Sequence, residues 1–150
     1  MLKTEKIKVK KLNENAIIPT YGTNFSAGAD IYALCDKTLT FAPNETILVK
    51  TGVAFEIPEG YAGFVFARSS LGLKRGLAPA NKVGVIDSDY RGELMVPLHN
   101  HSTQPQTIDN GERIAQIIFM PYLKADFFEE EGDLSNTDRG LGGFGSTGKK

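Results

Sequence analysis

Hydrophobic and polar residues alternate in short runs along most of this chain. Ile7-Lys8-Val9-Lys10, Asp30-Ile31-Tyr32-Ala33, Thr46-Ile47-Leu48-Val49 and Val53-Ala54-Phe55-Glu56-Ile57 repeat with a period near two, as do Tyr61 to Ala67, Glu93 to Leu98 and Arg113 to Met120. Such a period sends successive side chains to opposite faces of a strand, one toward a core and one toward water. Turn formers separate the runs: Pro43-Asn44, Pro58-Glu59-Gly60, Asp87-Ser88-Asp89 and Asn110-Gly111. No window sustains a helical period. The best short-helix candidate is Ser69 to Lys74, with Ser69 or Ser70 as its cap. Asn81 to Gly92 reads as a hairpin with an apolar strand, an acidic turn and Tyr90 at its tip. Many short strands at this spacing predict an all-β fold, a jelly-roll sandwich or barrel with one short helix.

The length of 150 residues suits one domain able to bury its own core. Residues 1–138 are expected to form that domain, the acidic stretch Asp126 to Asp138 acting as a linker to a glycine-rich arm over 139–150. The formal charge of −1 and pI near 6.1 provide no general basic field, so nucleic acid is not an expected partner. An anionic substrate must be held by local donors or a metal. The only cysteine, Cys35, excludes an internal disulfide and fits a reducing compartment. No apolar run follows the opening Met-Leu-Lys-Thr-Glu-Lys, and none approaches the length of a membrane span. A cytoplasmic protein without a membrane partner is the expectation.

The arm carries the clearest chemistry. Between Gly140 and Gly148 five of nine residues are glycine, beside Arg139, Phe144, Ser146 and Thr147. Glycine-rich backbone can fold closely around an anion, with N–H groups converging where side chains would obstruct. A guanidinium, two hydroxyls and one aromatic ring suit a polyphosphate attached to a flat base. The bland alternative is a solvated tail. Gly143 to Lys150 also approaches a phosphate-binding loop pattern, but that loop needs a helix after it, and the chain stops at Lys150.

Four internal stretches are too polar to be plain strand. Ser26-Ala27-Gly28-Ala29-Asp30 puts an acid at a strand start. Arg68-Ser69-Ser70 puts a cation and two hydroxyls at a helix start, either as phosphate ligands or as a surface ion pair with caps. In Asp87-Ser88-Asp89-Tyr90, Asp87 is either a solvated turn residue or a carboxylate that activates water above a flat Tyr90 wall. Gly111-Glu112-Arg113-Ile114-Ala115-Gln116 is a turn feeding a buried strand, whether or not Gln116 also binds ligand. His99 and His101 share one face of a strand, but two histidines without a third ligand make a poor zinc site. Cys35 has no neighbouring base in sequence, which argues against a covalent nucleophile.

In order, five stretches resemble the motifs of the trimeric dUTP diphosphatase (dUTPase) family: Ala27 to Tyr32, Arg68 to Gly72, Gly84 to Gly92, Gly111 to Gln116 and Arg139 to Gly148. The resemblance implies a jelly-roll protomer, a homotrimer with sites at subunit contacts, and Mg²⁺-dependent hydrolysis of dUTP to dUMP and pyrophosphate. It further implies that Asp87 orients and deprotonates the attacking water and meets the sugar 3′-hydroxyl. Asn81 and the backbone of Val85 and Ile86 would read the uracil edge, Tyr90 would pack beneath the deoxyribose, and Met95 would be a further substrate contact. Arg68, Ser69, Ser70 and Gln116 would hold phosphates and the water. Asp30 would meet the metal through water, the ion itself being held mainly by substrate phosphates. Arg139, Gly145, Ser146 and Thr147 would clamp the γ-phosphate end while Phe144 stacks on the base, so that the arm closes as a lid.

Two departures from the family pattern keep other readings in play. Ala67 stands where the family usually has proline, and Ser70 where it usually has glycine; Arg-Ser-Ser-Leu is closer to the dCTP deaminases that share the fold. The deaminase pattern, however, needs a proton-shuttling glutamate ten residues beyond Asp87, where this chain has Pro97. A catalytically silent jelly roll used for binding is the third reading, since fold alone permits it.

Overall fold

The computed structural model describes residues 4–143. Twelve strands and one helix follow in chain order: β1 (Lys8–Lys11), β2 (Thr20–Tyr21), β3 (Ala29–Tyr32), β4 (Leu39–Phe41), β5 (Thr46–Lys50), β6 (Val53–Glu56), β7 (Tyr61–Phe66), α1 (Ser69–Arg75), β8 (Leu77–Pro79), β9 (Gly84–Ile86), β10 (Met95–Asn100), β11 (Gln106–Ile108) and β12 (Arg113–Pro121). A five-stranded sheet in the order β2-β3-β12-β7-β9 and a three-stranded sheet, β5-β10-β8, are joined by the pairs β1-β6 and β4-β11, with every pairing antiparallel. The result is the expected jelly roll.

Alternation in sequence becomes alternation in burial. Ala29 and Ile31 of β3 point inward while Asp30 and Tyr32 point outward, and in β10 Val96, Leu98 and Asn100 are buried between Met95, Pro97 and His99. The inward residues meet Phe41, Val49, Val65, Leu71 and Ile117 in one core, the principal source of stability in a fold of this kind. Asn100 is a polar exception, with no exposure. Its Nδ2 donates to the carbonyls of Phe41, Ala42 and Gln104, and its Oδ1 accepts from Ser102 N–H and Oγ–H.

The structure corrects two expectations. Helix α1 begins as expected, but its N-cap is Arg68, with no side-chain capping bond, so neither Ser69 nor Ser70 caps it; left-handed Gly76 (φ 66°) closes its other end. Nor is Asn81 to Gly92 a hairpin. β9 pairs with β7 in one sheet, whereas the strand that follows, β10, pairs with β5 and β8 in the other. The acidic turn therefore crosses between sheets instead of reversing within one. Beyond β12 the chain pairs with no strand among the described residues, and Leu123, Phe127, Phe128 and Leu134 are all more than four-fifths exposed.

Candidate functional site

Two clusters collect most of the expected site residues. In the first, Asp87, Tyr90, Met95, Val85 and Ile86 line a cavity of about 230 Å³, closed by Leu48, Glu93 and Leu94. It lies where the edge of one sheet meets β5 and β10 of the other. β9 is the last strand of its sheet, so one side of its main chain is unpaired and offers N–H and C=O groups to a ligand. Asn81, exposed, sits just ahead of β9, its side-chain nitrogen crowding the position that a Cβ on Gly84 would take, 3.2 Å away.

Tyr90 is fixed from two sides. Its N–H donates to Asp87 O (3.2 Å) and its hydroxyl donates to Glu93 O (3.0 Å), so the ring stands as a wall beside the acid. Gly92 makes that possible, because a Cβ there would lie 2.4 Å from Tyr90 Oη and 2.5 Å from Cζ.

The second cluster is on the outer face of the five-stranded sheet. Asp30 of β3, Gln116 of β12 and Phe66 of β7 lie directly opposite one another, which puts all three on one face. Asp30 accepts from Arg68 Nε at 2.8 Å and from Arg113 Nη1 at 3.2 Å. One largely buried carboxylate thus holds two guanidinium groups, leaving a positive excess with Arg113 half exposed. Such a fork is suited to phosphate oxygens. Gln116 Nε2 donates to Ala67 O (2.9 Å), which leaves Oε1 as the acceptor of that amide. Gly28 allows this placement, since a Cβ there would meet Gln116 Oε1 at 2.4 Å. Ser69 and Ser70 are exposed at the start of α1, next to Arg68.

Arg113 has no assigned role in the sequence reading, yet it belongs to this cluster. A register shift between Arg113 and Ala115 makes β12 bulge at Ile114. Arg113 and Gln116 are three residues apart and would face opposite ways on a regular strand; the bulge brings both to Asp30's side. Two adjacent apolar residues between polar ones, Arg-Ile-Ala-Gln, are the trace of it in the sequence.

The clusters do not meet within one copy of the chain. Gln116 pairs with Phe66, whereas Ile86 pairs with Gly63, three residues back along β7. Continuing that register puts Asp87 roughly 13 Å along β7 from Gln116 and two strands across. Arg139 touches neither cluster by hydrogen bond: its Nε donates to Gly142 O (2.9 Å) within its own turn. Phe144, Gly145, Ser146 and Thr147 lie outside the described residues. A larger groove of about 780 Å³, lined in part by Tyr21, Thr23, Ser26, Tyr61 and Phe119, contains none of the expected site residues.

The remaining reactive groups are quiet or elsewhere. Burial first, then the carboxylates of Asp109, Asp36 and Glu112, raise the Cys35 thiol above its ordinary range, so it is a poor nucleophile. His101 is held below the usual histidine range by burial and by the neighbouring His99 and Lys82. Among the described residues no group of three or more His, Cys, Asp or Glu could cage a metal ion, and no helix is long and apolar enough to cross a membrane.

The family model for dUTPase matches residues 14–148. The chain is 47% identical over 145 residues to the deoxyuridine 5'-triphosphate nucleotidohydrolase of Hydrogenobaculum sp. (strain Y04AAS1), covering 97% of this chain and 99% of that relative. It is 48% identical over 144 residues to the enzyme of the same name from Nautilia profundicola, covering 96% and 99%. Its fold matches the dUTPase of Staphylococcus bacteriophage 80alpha solved with dUpNHpp at a TM-score of 0.88 and 30% identity, across 97% of this chain and 99% of that one. A dUTPase from phage phi11 of S. aureus, whose structure concerns the coordination of a structural Mg(II) ion, matches at 0.79 and 26% identity across 87% of this chain and all of that one.

Proposed function

Since this chain belongs to the dUTPase family, we propose that it hydrolyses dUTP to dUMP and pyrophosphate at sites assembled between copies of the chain. The observation that carries this reading is the exposed Asp87 carboxylate beside the Tyr90 wall and the unpaired edge of β9. Uracil binds that edge through the main chain of Val85 and Ile86 and the Asn81 amide. Tyr90 and Met95 flank the sugar, and Asp87 meets its 3′-hydroxyl. Asp87 takes a proton from a water held by Gln116 Oε1 as the water oxygen attacks the α-phosphorus. The bond from that phosphorus to the bridging oxygen breaks, and pyrophosphate leaves with the electron pair. Arg68, Arg113, Ser69 and Ser70 hold the phosphate oxygens. Arg139, Phe144, Gly145, Ser146 and Thr147 close over the triphosphate and base.

Asp87 and Gln116 must reach one water, and their separation along β7 forbids this inside a single copy. A trimer in which the first cluster of one subunit faces the second cluster of its neighbour solves the problem and yields three equivalent sites. The exposed Leu123, Phe127, Phe128 and Leu134 support such an assembly, because apolar surface of this kind is normally covered.

The residues also fit Mg²⁺. Each oxygen of Asp30 accepts one guanidinium, and a carboxylate offers about four lone-pair sites, so a water-mediated contact remains open. The lack of a protein cage among the described residues suits an ion carried by substrate phosphates. When bound, Mg²⁺ supplies positive charge to the triphosphate and to the leaving pyrophosphate. The lone unreactive Cys35 accords with a cytoplasmic enzyme.

Hydrolysis in ¹⁸O-labelled water tests the reaction. The label is expected in dUMP; label in pyrophosphate would move the attack to the β-phosphorus, and release of ammonia from dCTP would favour the deaminase reading.

A further inference from the structure

We propose that His99 and His101 form a chelating site for a late first-row divalent metal ion of the zinc, nickel or copper class. The proposal is independent of the catalytic reading, because neither histidine lines the Asp87 cavity or contacts the Asp30 cluster. His101 lies one residue past the end of β10, and the two imidazoles meet edge to face with centroids 4.4 Å apart and planes at 64°. Two rings this close stand near enough to share one ion, zinc binding each imidazole nitrogen at about 2.0–2.1 Å.

Both anchors are fixed before any metal arrives. His99 sits in a ladder between Thr46 of β5 and Ala78 of β8. Its Nδ1 is hydrogen-bonded to Thr46 Oγ1 at 2.8 Å, which leaves Nε2 as the free donor. Metal-binding histidines almost always have such a partner on the other ring nitrogen, because it sets tautomer and orientation. The His101 backbone N–H donates to Gly76 O at 2.8 Å, tying this residue to the end of α1. The chelate is therefore built on hydrogen-bonded backbone instead of a free loop.

The donor set selects the metal. Imidazole suits zinc, nickel and copper, whereas Mg²⁺ demands oxygen ligands. Two protein ligands leave positions for water or a small exogenous ligand, which makes the site exchangeable and weaker than a closed structural zinc site.

Titration calorimetry on the full chain without an affinity tag, with ZnCl2 and NiCl2 in excess MgCl2, tests the proposal. One ion per chain is expected. His99→Asn and His101→Asn should each weaken binding at least about tenfold, and Thr46→Val should weaken it by about tenfold, the low end for loss of a ligand's hydrogen-bond partner. Mg²⁺-supported dUTP hydrolysis should be unchanged in all three. No binding by the wild-type chain, or equal binding by a His99→Asn/His101→Asn double variant, would overturn the site. Should a variant fold poorly, zinc added to the wild-type chain gives an independent answer by NMR. Shifts centred on the His99 and His101 imidazole signals support the site, and shifts centred on Asp30 or Asp87 sink it.

Discussion

At the scale of single residues, the proposed reaction depends on where one carboxylate and one ring stand. Replacing Asp87 by asparagine keeps size and polarity but removes the proton acceptor, so turnover should fall between about 100- and 10,000-fold with binding of a non-hydrolysable dUTP analogue retained. Steady-state kinetics beside calorimetry checks this, and near-normal turnover would remove Asp87 from its role. Gly92 tests the wall. A methyl group there must displace the Tyr90 ring, which should cost up to about 100-fold in turnover while barely moving the unfolding midpoint, because that ring is partly exposed. Tyr90→Ala goes further and should admit UTP, since nothing then crowds a 2′-hydroxyl; unchanged sugar selectivity would refute the packing role.

At the scale of elements, the longer strands were legible because their burial follows their alternation. Asn100 shows what pattern alone misses. It looks like one more polar residue at a strand end, yet its amide joins β10 to the turn after β4 and to the Ser102–Gln104 loop. Asn100→Ala should lower the free energy of unfolding by about 2–4 kcal/mol, read by urea denaturation, because it leaves buried carbonyls unpaired. β2, β4, β8 and β11 escaped the sequence reading for another reason. Each has only two or three residues, too few for a period to register, and each exists because a partner strand pairs with it. Likewise the apparent hairpin at Asn81 to Gly92 carries good turn signals; which sheet the next strand joins is decided by contacts distant in sequence. Candidate site residues could be named from motifs, but their division into two clusters needed the register of β7, which no local window contains.

At the scale of the whole molecule, the separation of those clusters makes a prediction that a one-copy site would not. Asp87→Asn and Arg68→Ala chains should each be nearly inactive alone. Unfolded together and refolded as random mixed trimers, they should recover about one quarter of wild-type turnover, because one pairing in four brings an intact first cluster to an intact second cluster. No recovery, with mixed trimers verified by native mass spectrometry, would place the site within one copy. Removing residues 139–150 should abolish turnover and leave thermal unfolding nearly unchanged, since the preceding segment makes no strand pairing with the core among the described residues. Full activity in the truncated protein would reduce the arm to a tail.

The open side of β9 has a consequence for how substrate choice can change over generations. If the base is recognised by peptide groups and not by the side chains of Val85 and Ile86, then point substitutions at those positions leave the recognised pattern intact. Apart from a change at Asn81, preference for another base would have to come from bending or shifting the strand itself, a rarer event than swapping one amino acid. Fidelity written into the backbone is thus buffered against ordinary genetic drift.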